Sequence, residues 1–361
     1  MIFLAIFLLV LSPCFGQEVK IVHNPKRPAN IPGAPKSLTL EEDLCIGVAS
    51  GDEGYMFAEL RSIQVDEDED ILVLDWDYNV IKVYDKDGKH VRTFGKHGQG
   101  PGEIQGPSRM YLKGGKDIGI LDNANSRFSY FSKEGECLSE TSLGKHAMMF
   151  RAIPDSQGFI YGDEVTMDGM IGKYLVHKFD KEFNLVMTVA SFEESIRLGE
   201  SEPIRASLKW LVMADDRFVW AKTDEYILHV LDPSGKLIKK IVKEYERKRI
   251  SDKEKEKIAK EYLEDRPQRS GYKFVFPKHY PPIDYFRCDD EGRIYVRTFE
   301  RDSKGQLKWD VFDKDGRYIL SFFHPEEDIL FVIKNNRAYS MIMESEEEGI
   351  PLVKRYRMIW D

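Results

Sequence analysis

The segment that decides the fold runs Ile63-Gln64-Val65, an acidic turn at Asp66 to Asp70, Ile71-Leu72-Val73-Leu74, polar Asp75 to Asn79, Val80-Ile81-Lys82-Val83-Tyr84, the turn Asp85-Lys86-Asp87-Gly88, and Lys89 to Phe94. Each apolar run is short enough for a strand and too short for a helix, and each is bounded by turn residues. Asp-Gly supplies the positive φ of a tight hairpin between alternating apolar residues. The segment therefore predicts four short antiparallel strands in succession.

The same pattern returns along the chain. Met110 to Leu112, Ile118 to Leu121, Arg127 to Phe131 and Cys137 to Ser139 make a second copy, turning at Ser132-Lys133-Glu134-Gly135. A third is read in Phe150 to Ile153, Phe159 to Tyr161, Tyr174 to Phe179 and Leu185 to Val189. The fourth has Leu208 to Met213, Phe218 to Ala221, Tyr226 to Leu231, the turn Asp232-Pro233-Ser234-Gly235 and Lys236 to Ile241; the fifth turns at Asp313-Lys314-Asp315-Gly316. A repeat of roughly 40–50 residues holding four strands is the signature of propeller blades. The sixth copy, Ile329 to Ile333, Ala338 to Met343 and Leu352 to Ile359, lacks a fourth strand. An unpaired edge exposes a row of backbone donors and acceptors, and Leu38 to Ile46, upstream of the first copy, is placed to cover it. The expectation is an all-β, six-bladed β-propeller over residues 38–361, with strand 38–46 pairing strand 352–359 in the last blade. Residues 17–37 are expected to be a linker, and residues 243–282 a helical insertion.

Phe94-Gly95-Lys96-His97-Gly98-Gln99-Gly100-Pro101-Gly102-Glu103-Ile104, with Pro107 beyond it, resembles the glycine-rich crossover between blades of NHL-like propellers. The likeness extends from about Leu38 to the C-terminus and includes Ile46-Gly47 and the Asp-x-x-Gly turns. The chain resembles exported bacterial propellers of unassigned function within the TolB-like six-bladed group. That resemblance implies a fold and no particular reaction. A phosphate-binding loop is the competing reading of the glycines. It needs a helix after the loop, which Pro101 and Pro107 oppose.

Residues 1–16 carry no charge, and Met1 to Leu11 is almost wholly apolar, which reads as a secretory signal even without a basic start. Leu11-Ser12-Pro13-Cys14 also resembles a lipobox, so Cys14 is a lipidation candidate beside plain secretion. The expected location is extracytoplasmic: secreted, periplasmic or lipid-anchored, with no transmembrane segment. The remaining cysteines, Cys45, Cys137 and Cys288, show no disulfide or zinc spacing and are expected as half-buried thiols on strands. The formal net charge of -9 over 361 residues opposes nucleic-acid binding, which rests on Lys and Arg releasing counterions.

Asp66 to Asp70 and Asp75 to Asn79 suggest calcium loops. Their sixth positions are Ile71 and Val80, where a calcium loop needs Gly. They are read as solvated turn carboxylates, and no cofactor or metal ligand is assigned, with calcium left open. No zinc-type histidine pair and no Gly-x-Ser-x-Gly elbow is present. Arg109, Arg151 and Lys209, on inner strands, are the candidates for a polar funnel on the propeller axis. In the insertion, Ser251-Asp252-Lys253-Glu254 is a capping box, and Ile258, Ala259, Tyr262 and Leu263 form a narrow apolar stripe. Tyr262, Tyr272, Phe274 and Tyr280 are candidates for a lid or partner surface. The function expected is a non-catalytic, monomeric binding or scaffold propeller for a protein or small-molecule ligand. A metal-dependent hydrolase or lyase at the channel is the alternative.

Overall fold

The computed structural model describes residues 18–113, 117–345 and 349–361; the stretch expected as a leader, with Cys14, lies outside the described residues. Six antiparallel sheets succeed one another, each beginning at its inner strand. The inner strands are Leu60–Val65, Pro107–Lys113, Ala152–Pro154, Leu208–Val212, Tyr285–Cys288 and Ile329–Lys334. Each sheet packs both faces against its neighbours, so the second strand of a blade is sandwiched. Ile71–Asp75 is buried at every position for this reason.

Six apolar clusters result, one between each pair of adjacent blades. Leu72, Leu74, Ile81 and Val83 of the first blade meet Met110, Ile118 and Ile120 of the second. Tyr339, Met341 and Val353 of the sixth meet Ile63, Ile71 and Val73 of the first, which closes the ring. Closure also uses the chain ends as expected. Leu38–Ile46 pairs antiparallel with Leu352–Trp360, from Leu38 opposite Trp360 to Ile46 opposite Val353. The register slips between Glu42 and Leu44, and Asp43 at that bulge accepts from Arg337 at 2.6 Å and Arg355 at 2.9 Å.

One device repeats at the turns. The Asp85 carboxylate accepts from the amides of Asp87 and Lys89, at 3.0 and 2.9 Å, while Gly88 takes φ 79°. Asp232 and Asp313 do the same two and four residues on. In the third blade, Phe183 stands where the other turns have glycine, at φ 61°. Its ring is buried against Phe128 and Phe179, and that burial offsets the backbone strain. The acidic stretches also serve the backbone. Asp66 and Asp75, expected as solvated, are buried. Asp66 accepts from Asp68 and Asp70, and Asp75 from Ala58, because an amide left without a partner in the closed ring costs more than burying the carboxylate that caps it.

The stretch expected as a linker, 17–37, is in part a strand. Lys20–Asn24 adds parallel to Leu237–Lys243, making the fourth blade five-stranded. The outer strand of a blade is an open edge, and covering it removes unpaired backbone groups. Asn24 fixes the addition by accepting from the Tyr318 amide at 2.7 Å and donating to the Gly316 carbonyl at 2.9 Å. Among the described cysteines, only Cys288 is half-buried; Cys45 and Cys137 are exposed, because they lie on strands at the outer rim of their blades. In the insertion, helix α1 (Asp252–Asp265) starts with the expected capping box, and no residue along it is fully buried.

The fourth and fifth blades are tied by a buried polar cluster. Asp310 accepts from Tyr226 at 2.6 Å and Tyr318 at 2.7 Å, and lies 3.3 Å from Lys243. Removing the carboxylate leaves a buried ammonium uncompensated. Asp310→Ala should therefore lower the unfolding free energy by about 3–5 kcal/mol, read from the midpoint of urea denaturation.

Candidate binding site

Inner strands of neighbouring blades do not pair with one another, so their edges face the axis with backbone groups unspent. Long polar side chains bridge the gaps. Gln64 donates to the Met110 carbonyl at 3.1 Å, and Lys334 to the Val65 carbonyl at 3.0 Å. Arg109 donates to the Arg61 carbonyl, Arg151 to that of Trp210 at 3.0 Å, and Arg287 to that of Leu330 at 3.2 Å. Around these groups lies a cavity of about 560 Å³, lined by residues from the inner strands of all six blades.

Two of the three expected channel residues, Arg109 and Arg151, line this cavity. Lys209 stands beside the lining, near enough for the charges of Asp284, Arg151 and Arg287 to act on its ammonium. Arg287, Phe331 and Trp210 complete the wall and were not singled out from sequence, although the repeat already delimits the strands that carry them. Arg109 and Arg287 approach the same ring, 5.4 and 5.2 Å from the centre of Phe331. Arg151 lies 4.1 Å over Trp210.

These cations differ in their partners. Arg151 is paired with Asp163 at 2.9 Å, and the indole N–H of Trp210 donates to the same carboxylate. Nearby, Arg61 is paired with Glu59 and Arg297 with Asp284, both at 2.6 Å. Among the described residues, Arg109, Lys209 and Arg287 have no carboxylate within ion-pair distance. Burial, chiefly, and the neighbouring positive charges push the Arg109 and Arg287 guanidiniums and the Lys209 ammonium below their ordinary values. Cys288 also lines the channel, but burial pushes its thiol up to about 12, which leaves it a poor nucleophile at neutral pH. The far rim is acidic, with Glu67, Asp155, Asp216, Asp289 and Asp290. Most of these carboxylates are engaged: Asp155 by Lys178 at 3.2 Å, Asp216 by Ser156, and Asp289 by Tyr295 at 2.8 Å.

A second cavity of about 560 Å³ lies at the rim, between the closing strand and the fifth blade. Most of its ionisable groups are paired, His324 with Asp328 at 3.2 Å and Lys354 with Glu42 at 2.9 Å, so the axial cavity is the better site. Among the described residues, no group of three or more His, Cys, Asp or Glu side chains could hold a metal ion.

The lid candidates do not line the channel. Tyr262 packs edge-on to Phe274 at 5.8 Å, Tyr280 stacks on Phe299 at 4.8 Å, and Tyr272 lies under Arg269 at 4.5 Å. The insertion is anchored by Lys273–Phe274, which pairs parallel with Glu200–Ser201. It connects an outer strand to the next inner strand, and so belongs to the end of the ring where the inner strands begin.

The chain is thus a six-bladed β-propeller whose axial cavity has a cluster of arginines in its wall and an acidic far rim. A family model described as a six-bladed beta-propeller, DUF5128, matches residues 55–209. A crystal structure of a Bacteroides fragilis protein described as exported is similar at 11% identity and TM-score 0.55, over 94% of this chain and 100% of that one. A member of the DUF4221 family from Bacteroides vulgatus is similar at 10% identity and TM-score 0.52, over 91% and 100%. At such identities the likeness shows the fold alone. No curated protein sequence matches the chain. Among the described residues, no helix is long and apolar enough to cross a membrane.

Lys209 tests the electrostatics of the wall. Its folded-state affinity for a proton lies below that of the unfolded chain, so the charged form works against folding at neutral pH, and the penalty fades as pH rises through the folded value toward 10.5. Lys209→Met should raise stability at pH 7 by roughly 0.5–2 kcal/mol. In urea titrations the gain should shrink as the pH approaches 10.

Proposed function

We propose that this chain is an extracytoplasmic binding propeller that holds a ligand in its axial channel. The observation that carries the reading is the cavity of about 560 Å³ on the axis, walled by all six blades. Its volume falls in the range of pockets that enclose small molecules. The wall mixes aromatic and aliphatic surface with a few polar groups held by backbone contacts, which is the composition of a recognition site. It offers little for catalysis: its thiol is held protonated, and most of the acids at the far rim are occupied by the fold. Export is supported by the uncharged, apolar Met1 to Leu11 and by the exported relative in fold.

Gln64 lies half-buried in the wall, and Gln64→Trp should fill the channel without touching the inter-blade cores. Compounds from a mixed library of sugars, peptides, organic acids and nucleotides that raise the melting temperature of the natural protein should fail to raise that of Gln64→Trp. Equal stabilisation of both proteins would place binding elsewhere and defeat the reading. Deleting residues 1–16 should retain the protein in the cytoplasmic fraction, and export of that variant would remove the assigned leader.

A further inference from the structure

Resting on the reading of the channel as a ligand site, we infer that its ligand is a small organic polyanion, bearing at least two carboxylate or phosphate groups, held by Arg109 and Arg287 against the face of Phe331, with Lys209 beside the lining adding to the positive field.

The argument begins with charge. The chain as a whole is acidic, with a formal net charge of -9, yet the wall of its channel carries cations without counterions. Glu59, Asp163 and Asp284 neutralise Arg61, Arg151 and Arg297. Among the described residues, nothing neutralises Arg109, Lys209 or Arg287. Half-buried charges left unpaired near one another cost stability, and they persist where a function needs them. Bridging the inner strands does not require this arrangement. Gln64 makes the same kind of bridge with a neutral amide.

Donor capacity points the same way. A guanidinium has five N–H donors in a fixed fork suited to carboxylate and phosphate oxygens. Arg109 spends one on the Arg61 carbonyl, and Arg287 spends two, on Leu330 and Phe286. Among the described residues, the remaining donors have no protein acceptor. A single negative charge would leave one of the two unpaired wall arginines uncompensated, which sets the minimum of two anionic groups. Phe331, flanked by both arginines, offers a flat apolar surface to the carbon skeleton between those groups. The cavity volume limits the ligand to a small molecule rather than a polymer.

The test uses the full mature chain at fixed ionic strength, with citrate as the polycarboxylate probe, inorganic pyrophosphate as the phosphate probe and sucrose as the neutral one. Binding is followed by calorimetry and by the fluorescence of Trp210, assigned by subtraction against Trp210→Phe. Saturable binding of citrate or pyrophosphate with a change at Trp210 is expected, and which of the two binds tells carboxylate from phosphate. Arg109→Gln and Arg287→Gln should each weaken that binding by about 10–100-fold. Lys96→Gln, at an exposed pair with Glu103, should leave it within about twofold. If an arginine variant fails to fold, the matching lysine substitution replaces it and should retain part of the affinity. Anion binding unaltered in the arginine variants overturns the inference. A response at Trp210 to sucrose but to neither anion overturns it while leaving the channel as the ligand site. Silence toward all three probes counts against both.

Discussion

Adjacent inner strands in this ring do not hydrogen-bond to each other, and much of the molecule follows from that one constraint. Each inner strand is an edge, and six edges face a common axis. Their carbonyls need donors that reach across the gap between blades, and long side chains reach most readily, with Ser62 a short exception. Arg109, Arg151, Arg287, Gln64 and Lys334 do so. A propeller therefore draws donors to its axis simply to close itself. Donors there in excess of what the carbonyls use are available for something else, and in this chain the excess is positively charged.

The sequence carries the repeat because the forces that build a blade are local. Asp85 caps amides two and four residues on, so turn and hairpin are written in one short stretch. The second strand of the first blade is apolar from Ile71 to Leu74 because both its faces are covered. Even ring closure was legible, since a blade short of a strand calls for one at the other chain end. What the sequence hides is what depends on distant edges. Lys20–Asn24 finds its place beside Leu237–Lys243, and nothing in its own few residues names that partner. The site is half-legible for the same reason. Arg109 and Arg151 could be assigned to inner strands, but their relation to Arg287 and Phe331 exists only once six separate segments are brought round one axis.

Turn carboxylates show how readily function can be overread. Asp66 and Asp75 sit in runs dense enough to suggest a cation site, yet each is buried and spends its oxygens on backbone amides. Acids at the turns after the inner strands and at the outer hairpins repeat this task around the ring. Their number makes the protein acidic while their oxygens serve the backbone. The informative charges are the few whose partners are missing, and they are positive.

The division of charge has a mechanical counterpart. Apolar clusters between the blades, together with buried ties such as Asp310 with Lys243, Tyr226 and Tyr318, hold neighbouring blades in fixed relation. Asp43 fastens the two chain ends within the last blade. A ring held this firmly at its rim can tolerate repulsion at its centre, because Arg109, Lys209 and Arg287 cannot relax apart without opening an inter-blade core. Stability at the periphery thus sustains an axial field that a looser fold would dissipate by moving its cations into solvent. A ligand entering such a channel meets donors already in place, and little of its binding energy is lost in assembling them.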